Sequence, residues 1–303
     1  MGWIAYTLTY RAVAPVLLGD HPLGFVQRTR TYAPGWTLWG AITARLTRAL
    51  LTRASGADYK KVGQFVAENL LTSYGCILVD DEPTMPRHED GQLHYGPLTA
   101  AQFEARFLAS LGQTGVAPAT LTAHTGTLHE TEVLVEHDRE TKEAVRWQFK
   151  LYVRQPWPDF RGESEQLTVQ DVLEVLESLT IGADRGYGLG SLVHEKEKLE
   201  EHKEVEGQDW PHPLDWSPQN RLLQAHVPFD ELPGEQVRGR VEAVPRRWWQ
   251  NDPDKAWGPG QKREVRRFYV PGSRVIGGEW IPEVRPMGIW QKARQSGVPQ
   301  TTP

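Results

Sequence analysis

Apolar and polar residues alternate over residues 4–11, where every second side chain is large and apolar. This period of two predicts a half-buried first strand. Apolar residues then recur at helical spacing over 38–50 and, less regularly, over 58–71. A third helical pattern covers 169–179 and begins with a capping-box pattern opened by Thr168. Three helices are therefore predicted.

Strand-like alternation also occurs between the second and third of these helices. Residues 128–135 and 144–153 flank the charged turn 138–142, which predicts a β-hairpin. Residues 80–126 contain several prolines and glycines without a clear period, so we predict a long irregular insertion there. A short apolar run at 192–193 predicts a strand after the last helix.

The order of these elements indicates the fold class. Strand, helix, hairpin, helix and strand form the βαββαβ order of ferredoxin-like and RRM-like domains. We predict an α+β protein whose ferredoxin-like core, with its insertion at about 80–126, occupies residues 1–195. The acidic, proline-containing stretch 196–220 is predicted to be a linker. Residues 221–303 are predicted to form a smaller β-rich region with a basic patch.

Charge narrows the choice of partners. The 303 residues include 34 Lys and Arg against 39 Asp and Glu, for a net charge of -5. A nucleic-acid surface must therefore be a local patch on a mildly acidic molecule. Between Arg238 and Arg274, ten Lys and Arg accompany four Asp and Glu, and we take Arg246 and Arg247 of this patch as candidate nucleic-acid-binding residues.

Cysteine usage and hydropathy indicate the compartment. Cys76 is the single cysteine and lies in an apolar run. This excludes a disulfide scaffold and a multi-cysteine metal site and favours a reducing compartment. Apolar stretches are shorter than the ~20 residues that a membrane helix needs. We therefore expect a cytoplasmic protein with no membrane contact, no metal site and no small-molecule cofactor.

A glycine-rich loop follows the third predicted helix, with four glycines between residues 182 and 190. Such a backbone takes positive φ easily, approaches other surfaces closely and presents amides to phosphate oxygens. The alternative is a helix C-cap that runs into a tight turn. A dinucleotide-binding loop would follow a strand and open a helix, which is not the order here. The candidate nucleic-acid-binding residues of this part of the chain are Gly182, Arg185, Gly186, Gly188, Gly190 and, in the first helix, Arg45.

Tryptophan is abundant, with 12 residues. Trp147 lies in an apolar alternation and is predicted to be core. Five others fall in or beside turn-rich sequence: Trp248, Trp249, Trp257, Trp280 and Trp290. For these we favour contact with a partner protein, then stacking with RNA bases, then burial in the β-rich region.

A Pro-Gly turn opens the first helix, and Gly40 lies one turn inside it. Glycine is unfavourable in a helix interior, so we expect another backbone to pass close to Gly40. With the strand order and the glycine loop, this turn resembles the RAMP superfamily (repeat-associated mysterious proteins) of CRISPR effector subunits, over roughly residues 3–194.

The resemblance is carried by two motifs. The first is matched by Tyr32, Pro34, Gly35, Leu38, Gly40 and Ala41, and the second by Gly182, Arg185, Gly188 and Gly190. The chain departs from the usual pattern at Trp36, Trp39, Thr43 and Ser191. These departures leave the fold assignment intact but put RNA contact by the first helix in doubt.

The resemblance implies a non-catalytic, RNA-binding subunit of a type III-like CRISPR ribonucleoprotein effector complex in antiviral defence. Its partners would be CRISPR guide RNA and other effector subunits, and the β-rich end favours a terminal position over a repeated backbone unit. Some members of the superfamily cleave RNA with an aspartate after the first strand or with a histidine-based site. Asp20 and His21 occupy this position here, although we interpret them as turn residues.

Two alternatives remain from the sequence. One is an enzyme, either a metal-independent endoribonuclease that processes CRISPR repeat RNA or a backbone subunit that cleaves RNA with Asp20. The other is a protein scaffold without RNA contact.

Overall fold

The computed structural model describes residues 2–89, 91–161, 166–205, 209–248 and 262–293. Within these residues the chain is a mixed α+β protein with four α-helices and a curled antiparallel sheet. The helices are α1 Gly35–Leu50, α2 Gly56–Asn69, α3 Ala100–Phe107 and α4 Val169–Val175.

The strands follow in chain order. The strands of the first half are β1 Gly2–Ala12, β2 Gly19–Leu23, β3 Val26–Thr29, β4 Tyr32–Ala33, β5 Leu70–Thr72, β6 Gly75–Val79, β7 Glu82–Pro83, β8 Pro86–Glu89, β9 Gln92–Tyr95, β10 Leu98–Thr99, β11 Leu108–Gln113, β12 His129–Leu134 and β13 Arg146–Gln155. The later strands are β14 Ser178–Thr180, β15 Ser191–His194, β16 Glu200–Val205, β17 Val227–Pro228, β18 Val237–Arg238, β19 Val241–Trp248, β20 Lys262–Tyr269, β21 Arg274–Val275, β22 Pro282–Val284 and β23 Trp290–Lys292.

The largest sheet has the order β14-β15-β1-β13-β6-β4. Strand β1 lies in its interior and pairs antiparallel with β13 from Gly2 opposite Gln155 to Arg11 opposite Arg146. On its other side β1 pairs with β15 near its end and with β16 near its start. Since β1 is hydrogen-bonded on both sides, its position and that of the residues directly after it are fixed by the sheet.

Both faces of β1 are buried, whereas the alternation predicts one buried face. Tyr6, Leu8 and Tyr10 pack with α1, α2 and α4 in one core, and Trp3 and Ala5 pack with the C-terminal region in a second. The prediction of a half-buried strand was therefore wrong, because the C-terminal region covers the face that a sequence window assigns to solvent.

The helix predictions are confirmed for α1 and α2, while α4 is shorter than its pattern. The capping box at Thr168 and Asp171 is present. The helix ends at Val175 because the chain continues into β14, which pairs with β15. In the segment predicted to be irregular, the structure has strands and α3, which begins with a capping box at Thr99.

The predicted hairpin of 128–135 with 144–153 was wrong. In the described ranges no ladder joins the two segments; the pairing between them is confined to the turn, where His137 and Ala144 form an isolated bridge. Strand β12 pairs with β11 and β3, and β13 pairs with β1 and β6. Alternation identifies a strand but not its partner, since pairing depends on chain segments far away in sequence.

Part of the predicted linker is a strand. Residues Glu200–Val205 form β16, whose register places Val205 opposite Trp3 and Glu200 opposite Thr7. The Thr7 hydroxyl lies 2.8 Å from the Nε2 atom of His202. A high charge content therefore did not keep this segment out of the sheet, because an edge strand exposes one of its sides to water.

Of the nine tryptophan side chains that the structure describes, four are buried and five are partly buried. Trp147 is buried, as predicted, and Trp280 and Trp290 are also buried, within the C-terminal core. A partner contact for Trp280 and Trp290 was therefore the wrong expectation, since the β-rich region covers them itself. Outside the described part lie Trp249, Trp257 and the side chain of Trp248.

No helix in the described residues is both long enough and apolar enough to cross a membrane.

Two glycines of the first motif have opposite surroundings. At Gly40 an added Cβ would meet nothing within 4 Å, so the expected close approach of another backbone was wrong. At Gly35 the same atom would lie 2.6 Å from the Cα of Gly288 and would also collide with the carbonyl of Met287. The close approach therefore occurs at the start of α1, where the C-terminal segment crosses it.

We predict that Gly35→Ala destabilises the protein by about 1–3 kcal/mol, the usual range for forcing extra atoms into a packed site. The matched control, Gly40→Ala, should stabilise it by up to about 1 kcal/mol, because alanine is the better helix former and the space is free. Urea unfolding of both variants measures the difference. Equal effects would contradict the packing of the C-terminal segment against α1.

Candidate nucleic-acid interface

The two sequence motifs meet at one cleft of about 470 Å³, which we call the motif cleft. Helix α1 contributes Trp36, Gly40, Ala44 and Arg48; the glycine loop contributes Gly182, Ala183 and Arg185; and Leu18, Arg30 and Tyr59 lie around them. Motifs separated by about 140 residues of sequence thus form one surface.

The sequence of α1 explains why there is a cleft. Gly40, Ala44 and Arg48 are spaced by four residues, so they lie along one face of the helix. The first two have little or no side chain, which leaves open space above the helix axis. Arg48, the third residue of this face, places a cation at the end of the open space. Gly40 therefore shapes the cleft instead of admitting another backbone.

Two of the loop glycines are required by the packing of the chain against itself. Gly182 and Gly190 both have φ of +82°. A Cβ at Gly182 would collide with the carbonyl oxygen of Leu17, and one at Gly190 with that of Ile181. At these two positions the tight turn of the chain is enough to explain why the residue is glycine, and no contact with a phosphate is needed.

The other two loop glycines face open space. Gly188 has φ of +87° and ends the one-turn 3-10 helix Arg185–Tyr187. Gly186 lies inside that turn, has no positive φ and has nothing within 4 Å of an added Cβ. Of the four glycines, only Gly186 has no structural requirement for the absence of a side chain among the described residues.

The arginines near the cleft differ in their partners. Arg48 and Arg185 are exposed, and the described part of the chain offers neither of them an ion pair or a side-chain hydrogen bond. Arg30 is paired: its guanidinium lies 3.3 Å from Asp20 and 3.1 Å from Glu242. Arg48 and Arg185 are therefore the cations that remain available to an anionic ligand at the cleft.

The structure does not bring every predicted residue to this surface. Arg45 does not line the motif cleft, and its Nε donates a hydrogen bond to the carbonyl of Val175 at 3.0 Å. Arg246 and Arg247 belong to β19, and their side chains lie outside the described part. RNA contact by these three residues stays a prediction.

Asp20 and His21 lie in strand β2, so their interpretation as turn residues was wrong. They line a second cavity of about 340 Å³ together with His88, which we call the hairpin cavity. The Asp20 carboxylate is 3.3 Å from both the Nδ1 atom of His21 and the guanidinium of Arg30. Arg30 lines both cavities and forms part of the wall between them.

A buried hydrogen-bonded chain continues from Arg30 into the C-terminal region. Glu242 accepts from Arg30 at 3.2 Å and lies 2.8 Å from the Nε2 atom of His226. The Nδ1 atom of His226 is 2.7 Å from the hydroxyl of Tyr74. His226 is 0% exposed, and its ring lies 4.9 Å from that of Trp36 in the cleft wall. The C-terminal region is thereby fastened to the wall of the motif cleft.

The charges in this chain follow from its surroundings. Burial lowers the pKa of His226, so the ring is neutral at pH 7. Burial alone would raise the pKa of Glu242, but the hydrogen bond from His226 and the charge and hydrogen bond of Arg30 outweigh it and lower the pKa. Burial raises the pKa of Tyr74, whose hydroxyl therefore donates to Nδ1, and Nε2–H donates to Glu242.

Sequence reasoning missed Arg48, Arg30, Glu242 and His226 as residues of one surface. The four-residue spacing of Gly40, Ala44 and Arg48 was a usable signal for the first of these. No sequence signal existed for His226, whose partner Tyr74 is 152 positions away.

No protein-family model matches the chain, and no curated protein matches it. Among solved structures, it is similar to a chain of the type III-B Cmr-beta complex bound to cognate target RNA and AMPPnP, studied by cryo-EM. The TM-score is 0.52 at 10% identity, covering 89% of this chain and 85% of that one. A chain of Cmr-beta bound to cognate target RNA has a TM-score of 0.49 at 11% identity, with 89% and 86% covered.

The first of these likenesses concerns the fold, given the low identity. At that level it confirms the resemblance to subunits of type III-like CRISPR effector complexes that the two motifs indicate.

The buried His226 predicts a pH dependence of stability. Its folded-state pKa is below the unfolded value of about 6.5, so the unfolded chain takes up the additional proton and unfolding becomes easier as pH falls below 6.5. The group contributes a slope of at most about 1.4 kcal/mol per pH unit. We expect His226→Gln to flatten the dependence between pH 7.5 and 5.5 in urea unfolding, and the exposed control His137→Gln to retain it. Identical slopes for His226→Gln and the parent would contradict a neutral buried ring.

Proposed function

We propose that this protein is a non-catalytic, RNA-binding subunit of a type III-like CRISPR ribonucleoprotein complex. The observation that carries the proposal is the convergence of the two motifs on one cleft with two available arginines, Arg48 and Arg185. In this proposal the motif cleft binds the sugar-phosphate backbone of guide RNA.

The sheet supports this proposal. Strands β15, β1, β13 and β6 lie side by side and are antiparallel throughout. Together with α1 and α4, which pack in the core, this arrangement supports the proposal of a ferredoxin-like core. The Cmr-beta complex with a similar chain fold was studied with cognate target RNA, which agrees with an RNA-related role.

The electrostatics of the cleft suit phosphate. Arginine presents a planar fork of donors that matches phosphate oxygens. The net charge of -5 opposes RNA binding elsewhere on the molecule, so affinity has to come from local cations. Backbone contacts of this kind position an RNA without reading its sequence.

The endoribonuclease alternative has one observation in its favour. Asp20, His21 and His88 line the same hairpin cavity, and paired acid-base groups are what metal-independent RNA cleavage needs. Against it, the Asp20 carboxylate is engaged with Arg30. Discrete cleavage of repeat RNA in EDTA, abolished by His21→Ala, would decide for the enzyme.

We predict that Arg48→Ala and Arg185→Ala each weaken binding of guide RNA several-fold at low salt. Each should also reduce the slope of log affinity against log salt by about 1, because one phosphate contact is lost. Lys292→Ala removes an exposed cation that lines neither cavity and serves as the charge-matched control. Fluorescence anisotropy over a salt series measures both quantities. Unchanged slopes for the two arginine variants would remove the cleft from the RNA path.

Gly186 offers a probe that leaves the loop conformation undisturbed. We predict that Gly186→Asp lowers RNA affinity at least tenfold, about 1.4 kcal/mol, because it places an anion between Arg185 and the RNA backbone. Gly186→Ala should bind within twofold of the parent, since an added Cβ meets nothing. Thermal unfolding should be similar for both variants. Equal losses in both would point to the loop backbone, and no loss in Gly186→Asp would contradict binding at this loop.

A further inference from the structure

Tyr187 is an exposed aromatic residue on the glycine loop. Of the large apolar side chains in the described ranges, Tyr187 and Leu121 are the most exposed, each at 81%. Tyr187 ends the one-turn helix Arg185–Tyr187, two residues after the arginine that lines the motif cleft. A large exposed ring two residues from an available cation needs an explanation that packing within the chain does not supply.

The backbone of the loop that carries this ring is held in a fixed place. The amide of Gly190 donates to Pro15 and that of Ala183 to Leu17, at 2.7 and 2.9 Å. Within the turn, the amide of Tyr187 donates to the carbonyl of Asp184 at 2.9 Å. At both ends of the loop the glycine backbone packs directly against carbonyl groups, with no room for a Cβ, so the loop has little space to shift. Because this backbone is ordered by folding, a ligand that contacts the ring pays little further entropy.

We propose that Tyr187 is a stacking platform for one unpaired base of the RNA whose phosphates are bound at Arg48 and Arg185. This inference rests on the proposed function and adds to it the form of RNA that the site takes. Every base has a π-face, so stacking on tyrosine is tolerant of sequence. In a duplex each base is covered by its neighbours and cannot stack on the ring, so the site favours single-stranded RNA over duplex RNA.

The chemistry separates this role from phosphate binding. A neutral ring contributes nothing to counterion release, so its loss lowers affinity without changing the salt slope. Loss of Arg48 or Arg185 changes both. Phenylalanine keeps the aromatic face and leucine keeps only apolar bulk, which gives two variants that differ in stacking.

The test compares the parent, Tyr187→Phe and Tyr187→Leu in the full chain. The probes are a single-stranded oligouridylate and an abasic ribose-phosphate oligomer of the same length. For oligouridylate we expect Tyr187→Leu to bind about tenfold more weakly with an unchanged salt slope, and Tyr187→Phe to bind within twofold. On the abasic oligomer all three proteins should bind equally. Because the side chain is exposed, thermal unfolding should be unaffected.

Equal binding of oligouridylate by the parent and Tyr187→Leu, with Arg48→Ala still weaker, would overturn the stacking role and leave the proposed function standing. An equal loss on both probes would also overturn it, since no base is then involved. If the parent binds neither probe, the proposed function and this inference both fail. Loss of assembly with other subunits but not of oligouridylate binding would assign Tyr187 to a protein contact and overturn the inference.

Discussion

The position of the motif cleft is set by one stretch of backbone, residues 15–18, which follows β1. The carbonyls of Pro15 and Leu17 accept hydrogen bonds from the glycine loop, and that of Leu18 accepts from Arg30. Leu18 itself lines the cleft. This stretch is fixed because β1 is paired along both edges and buried on both faces. The geometry of a surface site therefore depends on a central strand whose two faces are both buried.

The same arrangement decides which cations are available. Three arginines line the motif cleft, but the structure uses one of them internally. Arg30 is held between Asp20 and Glu242, and Glu242 is held in turn by His226. A buried charge that loses its partners is costly, so Arg30 is committed to the wall. Arg48 and Arg185 form no ion pair within the described residues, so these two side chains supply the unpaired positive charge of the cleft.

Local sequence was sufficient for helices α1 and α2 and for one candidate binding loop. The helical spacing over 38–50 predicts α1, and the four glycines of 182–190 predict a loop that approaches other groups closely, but neither pattern shows that the loop and α1 line the same cleft. The hairpin failed because alternation over 128–135 carries no information about its partner, and β12 found β11 and β3 instead. Trp280 and Trp290 were misjudged for a related reason: a turn-rich sequence does not show that the strands around it close over the ring. His226 could not be found, since its role depends on Tyr74 and Glu242, which the fold alone brings together.

The glycine loop shows why a glycine-rich motif is weak evidence until each glycine is placed. Gly182 and Gly190 are needed because carbonyls of this chain lie where a Cβ would go, and Gly188 is needed for its positive φ. These three residues explain the rigidity of the loop and say nothing about a ligand. The rigid loop presents Arg185, the open space at Gly186 and the ring of Tyr187. The glycines fix the backbone, and the proposed contacts with RNA belong to the three consecutive residues 185–187 that this backbone carries.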